Sequence, residues 1–98
     1  MSSFLHVAAV FKVKPEGLEA MLRLLTALTR ATQEEPGCVD YGYLQAVDDP
    51  LLFSSFEIWR SAEDEALHWQ TEHLQQALAQ AADLLQGVPQ INRYQRVC

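Results

Sequence analysis

The chain has 98 residues, 49% of them hydrophobic, and a formal net charge of −6. That hydrophobic content is too high for a disordered chain, and the length fits one domain, residues 1–98. The acidity, with no basic cluster, argues against nucleic acid or an anionic membrane surface as partner.

No apolar run approaches the ~18 residues that a membrane-spanning helix needs. The opening Met-Ser-Ser-Phe-Leu-His lacks the charged and apolar regions of a signal peptide. Cys38 and Cys98 have neither Cys-x-x-Cys nor Cys/His ligand spacing, so they read as reduced thiols in a cytoplasm.

Phe4 to Lys14 reads as a strand, with Val7, Ala9, Phe11 and Val13 on one face and His6, Ala8, Val10 and Lys12 on the other. Both faces are largely apolar, as in a strand inside a sheet. Pro15-Glu16-Gly17 breaks it and opens a helix whose Leu18, Met21, Leu22, Leu25 and Leu28 recur at helical spacing. Glu34-Glu35-Pro36-Gly37 stops that helix. Cys38 to Ala46 is a second strand, with Val39, Tyr41 and Tyr43 sharing a face. Asp48-Asp49-Pro50 turns the chain into a third strand, Leu51 to Trp59, antiparallel to the second.

Ser61 caps a helix that runs to about Trp69, with acidic residues at its positive end. Thr71 caps a second piece, Glu72 to Leu85, and Gly87-Val88-Pro89 ends it. Gln90 to Val97 is the last strand. The order β-α-β-β-α-β predicts an α+β, ferredoxin-like sandwich: a four-stranded antiparallel sheet with its helices on one face. The face left uncovered would carry a contiguous apolar patch, and a two-fold homodimer, sheet against sheet, is the simplest way to bury it.

The run from Phe53 to His73 carries the strongest functional signal. It holds Glu57-x-Trp59, the cap Ser61, and the histidines His68 and His73. Together with Glu35-Pro36-Gly37-Cys38-x-x-Tyr41 it resembles the signature of the antibiotic biosynthesis monooxygenase superfamily, over nearly the whole chain. The resemblance implies a dimeric α/β barrel, quinol-monooxygenase-like. It also implies an oxygenase that needs no flavin, metal or haem and acts on a small aromatic or quinol-type substrate in an apolar pocket. The family's haem-degrading branch has an asparagine in its first strand; here that strand offers His6, so haem degradation is not expected. A proline usual in the family before the second histidine is Glu72 here.

The expected catalytic residues are His68, His6 and Glu57. Histidine titrates near neutrality, and a carboxylate in an apolar strand must be paired or neutral. Trp59, Tyr41, Phe53 and His73 are the expected substrate contacts. Glu57, Ser61 and His68 also suit a structural role, holding the strand–helix corner. Metal is not expected: five residues apart on a helix, His68 and His73 stand ~140° apart around the axis, and no third ligand has suitable spacing. Alternatives to a monooxygenase are an isomerase of a small carbonyl compound, or a non-catalytic dimeric protein that binds a ligand or serves in stress.

Overall fold

The computed structural model describes residues 4–98. Four strands form one antiparallel sheet: β1 (Leu5–Val13), β2 (Cys38–Gln45), β3 (Leu52–Trp59) and β4 (Leu85–Gln95). Their order across the sheet is β2-β3-β1-β4, so β1 and β3 are central, as the apolar faces of β1 foretold. Among the described residues three α-helices complete the fold: α1 (Leu18–Gln33), α2 (Ala62–Trp69) and α3 (Glu72–Ala81). This is the ferredoxin-like α+β arrangement, with the second helical segment split in two.

Register fixes which side chains meet. Val7 lies opposite Glu57 on β3 and Arg93 on β4, and Glu57 lies opposite Tyr41 on β2. Because side chains alternate along a strand, Val7, Ala9, Tyr41, Tyr43, Phe53, Ser55, Glu57, Trp59 and Ile91 share the face under the helices. The buried stripe of α1 is Met21, Leu25, Leu28 and Thr32, spaced by fours and threes. One core cluster joins Val7, Leu28, Tyr41, Trp59, Leu74 and Ala77; another joins Val13, Met21, Leu25 and Phe53.

Three expectations need correction. β4 begins at Leu85, not at Gln90, and continues through Gly87-Val88-Pro89. Gly87 takes a positive φ of 77°, which glycine adopts without strain, and the β1–β4 register shifts opposite it, between Val10 and Lys12. β4 is also an edge strand, where Pro89 need not donate to a neighbour. In consequence the helix that was expected to reach Leu85 ends at Ala81, followed by a short turn of 3-10 helix at Ala82–Leu84. Finally, Val39 does not share a face with Tyr41 and Tyr43. A register shift between Cys38 and Asp40 makes it the extra residue of a bulge, and it is exposed.

Candidate functional site

Between the sheet and the three helices lies a cavity of about 100 Å³. Its wall is almost wholly apolar: Val7, Ala9 and Ile91 from the sheet, Leu28 from α1, Leu74 and Ala77 from α3. The polar groups that reach it are few. Tyr41 and Tyr43 come from β2, Glu57 from β3, and His68 and Trp69 from the end of α2.

Glu57 sits at the centre of a small network. The Ser55 hydroxyl donates to Oε2 at 2.7 Å and the Trp59 indole to Oε1 at 3.0 Å. Ser55 is itself held by the Ala9 backbone N–H, at 2.8 Å. Burial pushes the Glu57 carboxyl above the usual range, against the opposing pull of those two donors and of His68. Among the described residues no Lys or Arg side chain is hydrogen-bonded to it, so the proton is retained more readily than on a surface carboxylate. The Tyr41 and Tyr43 hydroxyls meet at 2.7 Å, and burial raises both phenols, keeping them neutral donors. Burial, reinforced by Glu35, Asp40 and Glu57, pushes the Cys38 thiol up to about 11, so it is a poor nucleophile.

His68 lies in the last turn of α2, 3% exposed. Its ring centroid is 4.7 Å from that of Trp59 and 5.5 Å from that of Tyr41. Its Nδ1 bonds Glu35 Oε2 at 2.8 Å, and the same oxygen bonds His73 Nε2 at 2.6 Å. The chain makes this convergence possible by breaking at Gln70. Thr71 Oγ1 donates to the His68 carbonyl, ending α2, and accepts from Leu74 N–H, opening α3. The two histidines therefore do not lie on one helix, and the ~140° argument against their meeting fails. Glu72 occupies the first position of α3, where its charge suits the helix end as a proline's geometry would. The Glu35 turn is brought in by Gly37: a Cβ there would lie 2.3 Å from Asp64 Cγ, so only glycine permits this approach to α2.

Glu35, His68 and His73 are a donor set whose ligand atoms all lie within 4.8 Å of one another. Ligands ~2.1 Å from a tetrahedral zinc stand roughly 3.4 Å apart. The separations of 2.8 and 2.6 Å from the shared oxygen are instead those of hydrogen bonds.

The structure brings Tyr41, Glu57 and His68 to the cavity. Trp59, wholly buried, stands behind Glu57 and His68 in the core rather than on the cavity wall. Phe53 stacks on Phe11 in the second core cluster. His73 bonds Glu35 beside the cavity, not in it. His6 is separated from all of them: it pairs with Ile58 and Tyr94 on the sheet face away from the helices. The sequence offers Tyr43 beside Tyr41 as a hydroxyl for a pocket but assigns no site role to Glu35 or Ser55. The stripe shared with Tyr41 marked Tyr43, and the Glu-Pro-Gly-Cys run contained Glu35, but nothing in the sequence joined that turn to His68.

Residues 4–80 match the family model described as antibiotic biosynthesis monooxygenase. The chain belongs to this family. A curated relative, the uncharacterized protein sll1783 of Synechocystis, is 30% identical over 88 residues. The match takes in 90% of this chain and 60% of that relative's length, so the chain spans less than two thirds of it. Among solved structures, PA3566 of Pseudomonas aeruginosa is 32% identical, with a TM-score of 0.92 over 100% of this chain and 98% of that one. Rv0793 of Mycobacterium tuberculosis is 26% identical, also at 0.92, over 98% and 97%. The family's matched region includes the Glu35 turn, all of β3, and both histidines of the α2–α3 corner.

Proposed function

We propose that the chain is a monooxygenase that works without a resident cofactor on a small aromatic or quinol-type substrate, bound in the cavity between sheet and helices. The observation that carries this reading is the pairing of an apolar cavity with two proton-accepting groups, His68 and Glu57, on its wall. An apolar cavity of ~150 Å³ takes up benzene. One of about 100 Å³ therefore suits a single ring, with modest movement of the wall.

The chemistry follows from that environment. His68 takes the proton of a ring hydroxyl, leaving an electron-rich phenolate that donates to dioxygen. One oxygen atom enters the substrate and the other leaves as water; the substrate supplies both electrons and both protons, so a quinol leaves as a hydroxyquinone. Tyr43, a neutral phenol, donates to the developing oxyanion, and the dry wall shields the intermediate from water. Trp59 and Phe53 support the wall from behind, and Glu57 holds or releases the second proton.

Oxygen uptake by chelator-treated protein against a panel of single-ring quinols tests the reading. One dioxygen consumed per substrate is expected, and a hundredfold or greater loss, of about the size general-base removal causes, in His68→Ala. No uptake with any member of the panel overturns it.

The sheet face away from the helices exposes Phe56, Leu44 and Tyr94. We propose that a second copy covers it, giving the homodimer of a dimeric barrel; a monomer by light scattering at micromolar concentration would refute this. Among the described residues no helix is long and apolar enough to cross a membrane, and both cysteines are unpaired. The free thiols support a reducing compartment, the cytoplasm.

A further inference from the structure

Glu35 Oε2 accepts two hydrogen bonds from imidazoles on two different helices. An ionised carboxylate only accepts, so both ring nitrogens must donate. His68 is then protonated at Nδ1. No described residue bonds its Nε2, and its ring borders the cavity. A neutral imidazole with its proton on Nδ1 has its lone pair on Nε2. The ring nitrogen that no described residue holds is thereby the basic one.

We propose that Glu35 is a positioning residue: it fixes His68 as the Nδ1–H tautomer, with Nε2 open to the cavity, and its charge steadies the imidazolium formed when Nε2 takes a proton. His73 is the second tether. It is 30% exposed, Glu35 is 12% exposed, and His68 is 3% exposed, so the carboxylate bridges the solvent side to the buried base. Without His73, one bond would have to hold a carboxylate carried on a turn. With it, Glu35 is anchored from α3 and aimed at α2. This assignment gives His73 a role without placing it against substrate, and it rests on the proposal that His68 is the base.

The test is the tautomer of His68, read by long-range nitrogen–proton NMR on uniformly labelled protein above neutral pH, with His6→Asn and His73→Asn variants for assignment. No substrate is needed. The wild type is expected to show Nδ1–H. Glu35→Gln keeps an amide oxygen able to accept, so the tautomer should persist while the charge is lost. Glu35→Leu should shift His68 toward the Nε2–H form that free imidazole side chains favour. In turnover, both variants should lose tenfold or more in kcat, with KM within about twofold. An Nε2–H tautomer in the wild type, or an unchanged tautomer in Glu35→Leu, overturns the proposal. Should Glu35→Leu not fold, the wild-type tautomer together with the kcat and KM of Glu35→Gln decides it. Failure of every quinol to react, with the tautomers as expected, would count against the monooxygenase reading and leave the Glu35 assignment standing.

Discussion

Two buried glutamates in this fold make a controlled comparison. Glu57 on β3 and Glu65 on α2 are 7% and 5% exposed, and each accepts a bond from a tryptophan indole, at 3.0 Å from Trp59 and 2.6 Å from Trp69. Their remaining partners differ. Glu57 has the neutral hydroxyl of Ser55, whereas Glu65 has the Arg93 guanidinium in a two-pronged pair at 2.8 and 2.9 Å. Burial raises both carboxyls. At Glu65 the bonds from Arg93 and Trp69 outweigh it, and the group ends below the usual range; at Glu57 burial wins. The pair shows that one cation decides between a fixed charge that ties β4 to α2 and a carboxyl still able to exchange a proton. Only Glu57 borders the cavity.

The strongest way to break the Glu57 side is to remove its indole. Trp59 is wholly buried, so Trp59→Ala should cost about 3–5 kcal/mol, as large aromatic deletions do, and denaturant unfolding would show it. Trp59→Phe keeps most of the packing but orphans Oε1, and should cost about 1–3 kcal/mol. If the two variants were equally destabilised, the indole bond rather than packing would dominate.

Next in size is the conversion of the Glu65 site into one like that of Glu57. Arg93→Met keeps the apolar stem and deletes both guanidinium bonds. Arg93 is about half exposed, and solvent screening lowers the worth of the pair, so about 1 kcal/mol is expected at neutral pH. A variant within a few tenths of wild type would show that water substitutes for Arg93.

The contrast between these two residues also shows what the sequence made legible. Hydrophobic periodicity located β1, α1, β2 and β3, because alternation and the 3.6-residue stripe directly report burial, while the caps Ser61 and Thr71 located α2 and α3. It misjudged the start of β4, because Gly87 and Pro89 are breakers in isolation and tolerated on an edge strand. The parity of β1 already held the fate of His6: Val7, Ala9 and Val13 form the inner stripe, so a residue one step away must face outward. Glu57 stood out as a carboxylate among apolar neighbours. Glu35 did not, since its bond to His68 spans 33 positions and depends on the close approach of Gly37 to Asp64. Arg93 likewise reaches Glu65 from 28 positions away, from β4 to α2, a strand–helix contact that no local pattern reveals.

The smallest effect is the most diagnostic, because the two glutamates should respond to pH with opposite signs. The raised group, Glu57, binds its proton more tightly folded than unfolded. Its contribution to stability is complete below the ordinary glutamate range, roughly 4.3, and is lost as pH rises through its folded value. The lowered group, Glu65, contributes above that range and loses its contribution as pH falls through its folded value. Melting curves from pH 3 to 8 should therefore show two separate windows. Glu57→Gln, which cannot titrate, should flatten the decline on the upper side and leave the acid side unchanged. Arg93→Met should do the reverse to the acid side and add a new decline above it, since Glu65 would then be raised by burial as Glu57 is. An upper-side slope that survives Glu57→Gln would assign that titration to another group and remove the basis for treating Glu57 as the exchangeable proton of the cavity.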